Sequence, residues 1–262
     1  MSTTVIQRNY LHVLWRVPAL LAWIVVMPLL FFIVRALGFA WHKELPHYFH
    51  QGLQFIFGLQ VSKTGEPSQH APTFYVSNHI SYLDVFVLGD IRAYYIAKSE
   101  VANWPVLGQL ARFQNTLFFE RKAGRAQQQL SILREHLQKK QSLILFPEGT
   151  STDGAHVEPF KSSLFEAARQ HPGDVPVAIQ PLTVVYTHQA GVKMNQAMRD
   201  NYAWYAKMPF TPHFFNLFSL KKVAVKVHFH PVIYLEHFAT RKECAEHCFT
   251  SVSAKMTELL EN

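Results

Sequence analysis

Cysteine is nearly absent from this chain. Only Cys244 and Cys248 occur, four apart near the C-terminal end, which argues against a disulfide framework and fits a reducing compartment. With His247 beside them they fall short of a zinc ligand set. The loose group His42, His47 and His50 likewise lacks the H-E-x-x-H arrangement of a helical metal site. No metal is expected. The formal charge of +7 comes without a long Lys/Arg block, a zinc-finger spacing or an RNA-recognition signature, so nucleic acid is not the expected partner. No P-loop or dinucleotide glycine fingerprint occurs, and no internal repeat, low-complexity run or flexible linker. A nucleophile elbow, G-x-S-x-G, is also missing: Gly149-Thr150-Ser151-Thr152-Asp153-Gly154 is one residue too long.

What the chain does have is apolar and aromatic residues. Hydrophobic side chains make up 49% of 262 residues, enough for one α/β domain with an appendage and some apolar surface left over. Scattered basic charge combined with many Phe, Tyr and Trp suits an anionic membrane surface. Residues Val17 to Val34 run without a charge between Arg16 and Arg35, which meets the lower length limit for a membrane-spanning helix. The run is too long for a cleavable signal and no small-residue cleavage site follows it. Pro18 and Pro28 lie inside it, and Trp15, Trp23 and Trp41 favour an interfacial setting. A second segment, Phe49 to Val61, carries Phe49, Leu53, Ile56 and Phe57 at helical spacing, so a hairpin or in-plane anchor fits as well as a full span. The expected division is a membrane-associated helical segment over 1–65 and a catalytic domain over 66–262.

From Thr73 onward short apolar runs alternate with amphipathic stretches. Thr73–Val76, Ala93–Ala97, Leu117–Phe119, Ser142–Phe146 and Val177–Tyr186 read as strands, with Pro181 marking a bulge or an edge. Arg125–Lys140 and Lys161–His171 read as helices. Ala203–Leu220, aromatic and interrupted by Pro209 and Pro212, has no clean period and reads as a packed loop or a second membrane-touching surface. Lys222–Phe229 alternates like a half-buried strand, and a final helix begins at Thr240 with Glu243 three residues on. The class is α/β: a mixed, largely parallel sheet flanked by helices, preceded by the apolar anchor.

Chemistry concentrates at the strand ends. His79 and Asp84 follow the first strand at a strand-to-helix turn, in Ser77-Asn78-His79-Ile80-Ser81-Tyr82-Leu83-Asp84. Five residues on a continuous helix would leave them about 140° apart, at 3.6 residues per turn. With His79 in the turn and Asp84 in the first helical turn, the carboxylate can fold back onto the imidazole and fix a tautomer suited to a general base. A capping role for Ser81 and Asp84 explains the same residues. Phe146-Pro147-Glu148-Gly149-Thr150 places a carboxylate, a flexible backbone and a hydroxyl where open α/β sheets bind ligands, though Pro and Gly also make ordinary turns. Glu120-Arg121-Lys122 offers cations to a phosphate, or is a solvated strand end. Lys161 stands at the start of a helix, where an anion is welcome. With a base and no enzyme nucleophile, the substrate supplies the attacking hydroxyl.

Together these residues resemble the glycerolipid acyltransferase family that includes 1-acylglycerol-3-phosphate acyltransferases. N-H-x-x-x-x-D matches Asn78, His79 and Asp84; an apolar pair followed by a variable residue and Arg matches Phe118 to Arg121; F-P-E-G-T matches Phe146 to Thr150; and V-P-[VIL]-x-x-x-P matches Val175 to Pro181. The resemblance implies His79 as base oriented by Asp84, with Asn78, Arg121, Glu148, Gly149, Thr150 and Lys161 around the acceptor. It implies transfer of an acyl chain from acyl-CoA or acyl-carrier protein to 1-acyl-sn-glycerol-3-phosphate, with no cofactor and membrane lipids as partners. The expected location is the cytoplasmic membrane, active site on the cytosolic side. One departure bears on the acceptor: Ser151 stands where many members carry Arg. The longer run F-P-E-G-T-S-x-D-G with P-F-K-S-S-L-F resembles bacterial members, some of which acylate lyso-ornithine lipids. The alternatives are therefore a different lysolipid acceptor, a hydrolase, or a non-catalytic lipid-binding protein.

Overall fold

The computed structural model describes residues 5–120 and 123–261. Helix α1 (Leu11–Ala36) contains the uncharged run, and α2 (Leu45–Phe57) follows after a short 3-10 turn. The helical spacing read through Val61 stops at Gly58. This residue is left-handed at φ 70°, where a Cβ would lie 2.8 Å from Arg16 and 3.3 Å from the Lys222 backbone. The chain turns there into β1 (Leu59–Thr64), a strand of the main sheet. The expected anchor segment thus contributes a strand to the domain it was set apart from.

Strand β2 (Thr73–Ser77) is wholly buried. Then come α3 (Asp84–Val87), β3 (Tyr94–Lys98), α4 (Leu107–Phe113), β4 (Leu117–Phe119), α5 (Ala126–Gln138) and β5 (Leu143–Leu145). The chain continues through β6 (Ala178–Gln189), β7 (Val192–Lys193), α6 (Gln196–Arg199), α7 (Phe210–Leu217), β8 (Val223–Phe229) and α8 (Arg241–Glu261). The sheet order is β1-β8-β6-β2-β5-β3-β4, with β7 beside β6. Strands β6, β2, β5, β3 and β4 are parallel neighbours, and β8 runs antiparallel to β6. This is the mixed, mostly parallel sheet expected from the sequence. Its parallel strands point their C-terminal ends to one edge, where the motifs lie.

Three local readings differ from expectation. Residues 161–171 form no α-helix but a 3-10 run, Ser162–Ala168; Phe165 and Ala168, three apart and both buried, match its three-residue turn. Ala203–Leu220 does contain a helix: Pro209 is the N-cap of α7 and Pro212 lies in its first turn, where no intrahelical N–H is needed. Pro181 sits neither at an edge nor in a bulge. It occupies β6 between β2 and β8, one residue before the β8 ladder begins at Leu182. The His230 carbonyl, which an N–H at 181 would face, instead accepts from Gln180 Nε2 at 2.8 Å.

Candidate active site

His79 leaves the end of β2 and is held by its backbone on both sides. Its N–H donates to Glu148 Oε1 (2.5 Å), and its carbonyl accepts from the Thr152 N–H (2.9 Å). The Glu148–Thr152 turn therefore clamps the turn that bears the imidazole. Gly149 is left-handed, at φ 73°, the conformation a glycine adopts without strain. The imidazole stacks on Phe146, ring centroids 4.2 Å apart and planes 21° apart.

Asp84 folds back as anticipated. Its Oδ2 lies 2.9 Å from His79 Nδ1 and also accepts the N–H groups of Ile80 (2.7 Å) and Ser81 (2.9 Å). The Tyr186 hydroxyl donates to Oδ1 at 2.9 Å. With donors converging on both oxygens, the carboxylate acts as acceptor and Nδ1 is the protonated ring nitrogen; this tautomer is assigned from the network. Nε2 is left with the lone pair. Asp84 is fully buried while the His79 side chain is 21% exposed, so the pair is anchored inside and reactive outside. Burial and the nearby Asp84 charge push the Tyr186 phenol well above its ordinary range, keeping it a donor. The backbone capping of this turn falls to Asp84, not to the Ser81 hydroxyl, which is buried with no hydrogen-bond partner among the described residues.

A cavity of about 1190 Å³ opens from this edge. Its polar end carries His79, Gly149, Thr150, Ser151 and Lys161, with Glu100 after β3 and Glu120 after β4. Its apolar walls come from α1 (Leu20, Ile24), α2 (Leu53, Phe57), and α7 with the residue that caps it (Phe214, Phe218). That division suits a molecule with a polar head and a long hydrocarbon tail.

Two residues placed at the acceptor by resemblance are elsewhere engaged, and neither lines the cavity. Asn78 is buried and uses its whole amide on Val184 of β6: Nδ2 donates to the carbonyl (2.9 Å) and Oδ1 accepts the N–H (2.8 Å). It continues the β2–β6 ladder one residue past the strand. Glu148 is also buried, its second oxygen accepting the Glu158 N–H at 2.7 Å. Burial pushes its carboxyl up to about 8, against the pull of the two N–H donors and with the charges of Asp84 and Glu158 adding to the rise. Arg121 lies outside the described residues. The Ser151 hydroxyl donates to the Trp204 carbonyl. Tyr186 is the last residue of the run that reads as a buried strand, where a phenol carries no sign of a catalytic partner. Among the described residues no group of three or more His, Cys, Asp or Glu is placed to hold a metal ion.

The Acyltransferase family model matches residues 60–185. A lyso-ornithine lipid O-acyltransferase of Rhodobacter capsulatus is 39% identical over 203 residues, covering 77% of this chain and 71% of its own. One from Brucella abortus is 33% identical over 225 residues, covering 84% of each. Among solved structures, the 1-acyl-sn-glycerophosphate acyltransferase of Thermotoga maritima superposes with a TM-score of 0.69 over 96% of this chain and 95% of its own, at 19% identity. That likeness concerns the fold.

Proposed function

The chain belongs to the acyltransferase family that acylates lysolipids, and from that premise we propose that it transfers a fatty acyl group from a thioester donor to the hydroxyl of a lyso-ornithine lipid. The observation that carries the chemistry is the His79–Asp84 pair, 2.9 Å apart, with His79 lining the polar end of the cavity. The acceptor hydroxyl gives its proton to His79 Nε2 as its oxygen attacks the thioester carbonyl. A C–O bond forms, the C–S bond breaks, and the proton passes from the imidazolium to the departing thiolate. Asp84, itself held by two N–H groups and Tyr186, stabilises the imidazolium without taking its proton. The donor is acyl-CoA or acyl-carrier protein, and no cofactor is required.

The acceptor reading rests on the relatives and on Ser151. The sequence placed 1-acyl-sn-glycerol-3-phosphate first; the relatives named above favour the lyso-ornithine lipid it placed second. A phosphate monoester carries nearly two negative charges at neutral pH, yet the residue after Thr150 offers it a hydroxyl already donating to Trp204.

The exposed side of α1 attaches the protein to a membrane. Arg16 is buried and donates to the carbonyls of Leu217, Phe218 and Leu220 at the end of α7. Trp23 Nε1 donates to the Phe49 carbonyl at 3.0 Å, and Phe31 packs on Phe113 of α4 with centroids 4.5 Å apart. A helix stitched to the body from Arg16 to Phe31 lies along it, leaving Leu14, Leu21, Val25, Leu29 and Phe32 exposed. This favours an in-plane anchor over a span, on the cytosolic face where the donor is made available.

The test is transfer by the purified protein to a lyso-ornithine lipid, with His79→Ala alongside. General-base assistance contributes about 10²–10⁴-fold, so His79→Ala retains less than about a tenth of the wild-type rate while its circular dichroism is unchanged. A folded variant keeping more than that removes His79 from the mechanism.

A further inference from the structure

Trp204 is tied by its backbone to the turn that carries the base. Its N–H donates to the carbonyl of Ile80, the residue after His79, at 2.9 Å. Its carbonyl accepts the Ser151 hydroxyl, and the N–H of the next residue, Thr152, donates to the His79 carbonyl at 2.9 Å. The Trp204 peptide groups and the chain after Thr150 are thus joined to each other and to His79 and Ile80. Ser151 and Trp204 are both half-buried, and both line the cavity together with His79.

The hydrogen-bond donors of these two residues are spent within the protein. Ser151 gives its one hydroxyl proton to the Trp204 carbonyl, and the indole Nε1–H goes to the Met208 carbonyl at 3.0 Å. What remains for a ligand is the lone pairs of Ser151 Oγ and the electron-rich face of the indole. Around that ring stand Tyr82, Trp104 and Phe210, centroids 5.8, 5.8 and 6.1 Å from it, and all three also line the cavity. Neither Ser151 nor any of these four rings carries a charge. A phosphate, which only accepts, finds no side-chain donor on Ser151 or Trp204. An ammonium finds an acceptor in Ser151 Oγ, and a cation within about 6 Å of an aromatic centroid is attracted by the ring quadrupole, most strongly for Trp. Ornithine has two amines; whichever one carries the fatty chain, the head keeps one ammonium.

We propose that the Trp204 ring, with Ser151 Oγ, forms a cation subsite that takes the ammonium of the acceptor head group. The proposal rests on the lyso-ornithine reading above. The ring can be removed without the bonds that brace the catalytic turn, because those to Ile80 and Ser151 run through the Trp204 peptide groups. The test compares two acceptors: lyso-ornithine lipid and an analogue with its remaining amine replaced by a hydroxyl, which removes the positive charge at nearly constant size. Wild-type enzyme favours the ammonium form about tenfold or more in kcat/KM, Trp204→Leu narrows that preference to within about threefold, and Trp204→Phe, which keeps an aromatic face, retains most of it. Ser151→Arg, which brings a guanidinium to the subsite, narrows it as far as Trp204→Leu does. Equal use of both acceptors by the wild type overturns the subsite and leaves the lyso-ornithine reading standing. So does an undiminished preference in Trp204→Leu, the result expected of a ring that only walls the fatty chain. No transfer to either acceptor, with transfer to lysophosphatidate intact, overturns both. The hydroxyl analogue probes the unmodified protein, so the subsite can be refuted whether or not the variants fold.

Discussion

Replacing Glu148 separates two roles that its motif allows. The carboxylate of the F-P-E-G-T turn either touches the acceptor or holds His79, and the structure gives it the second position: 2.5 Å from the His79 N–H and 2.7 Å from the Glu158 N–H. In the ionised form, which prevails above about pH 8 and in which the transfer rates are compared, hydrogen bonds to the charged group contribute roughly 1.5–3 kcal/mol each. Glu148→Gln retains one carbonyl acceptor and turns an amide N–H₂ toward the other donor, so one of the two N–H groups is repelled. When the His79 turn relaxes, a displacement near 1 Å costs about 10²-fold in rate. The expected result is a kcat reduced about 10- to 100-fold with the KM for the lysolipid within threefold, measured by steady-state transfer. A raised KM at unchanged kcat would refute the positioning role and return Glu148 to the acceptor site. Denaturant unfolding provides a second readout. The carboxyl moves from 4.5 to about 8 on folding, so the folded state holds the proton more tightly. Its contribution is full below about 4.5 and is lost as pH rises through 8, up to about 5 kcal/mol at 1.36 kcal/mol per pH unit. Glu148→Gln should flatten that fall.

Asn78→Ala removes both partners of the buried Val184 backbone groups; at roughly 1–3 kcal/mol for each unsatisfied group, urea unfolding should show a loss of about 2–6 kcal/mol, and an unchanged midpoint would contradict the ladder-extending role. Tyr186→Phe deletes one of the donors to Asp84 without changing shape, so kcat should fall about 5- to 30-fold, near 1–2 kcal/mol for one such bond; full activity would mean that the other donors hold Asp84 alone. Val25→Asp with Leu29→Asp places two charges on the exposed side of α1, where each residue is more than half exposed (63% and 58%). The loss of about 1.5 kcal/mol of apolar contact per site should weaken binding to anionic vesicles by about 100-fold or more in a flotation assay, and undiminished flotation would dismiss this face as the anchor.

The strand ends were legible because each pairs a short apolar run with an abrupt polar turn. Thr73–Ser77, Leu117–Phe119 and Leu143–Leu145 fall within a residue of expectation, and the helix start at Thr240 appears as read, with the Glu243 N–H on Thr240 Oγ1 at 3.2 Å. Helical spacing misled where a backbone constraint lies outside the pattern. Gly58 ends α2 in a left-handed turn, a glycine signal that the spacing through Val61 overrode, and Arg16, 42 positions earlier, lies 2.8 Å from where its Cβ would be. The site was legible in its residues and less so in their roles. A motif records that a polar side chain is required, not whether it faces a ligand or a neighbouring peptide group. Asn78 and Glu148 both serve peptide groups. Tyr186 escaped because an alternation of apolar residues carries no mark for a phenol whose partner is 102 positions away.

The cavity and the membrane face are one surface seen from two sides. Leu21 of α1, Phe215 of α7 and Val106 before α4 line the cavity and are also 58%, 61% and 53% exposed. Residues with both properties mark an opening, and this one lies on the same exposed face as Leu14, Val25 and Leu29. A lysolipid that reached His79 through water would first expose its chain, at roughly 0.8 kcal/mol per CH₂, or about 12 kcal/mol for a chain of about sixteen carbons. A lysolipid sliding from the bilayer between α1 and α7 keeps its chain against apolar side chains throughout. Only its head group must leave the interface, toward the polar end of the cavity lined by His79, Thr150 and Lys161. Arg16 is what holds that opening to shape: its guanidinium joins α1 to the last carbonyls of α7, the two helices between which the chain must pass. With α1 anchored as proposed above, the entrance of the acyl cavity falls inside the apolar layer, where a lysolipid resides.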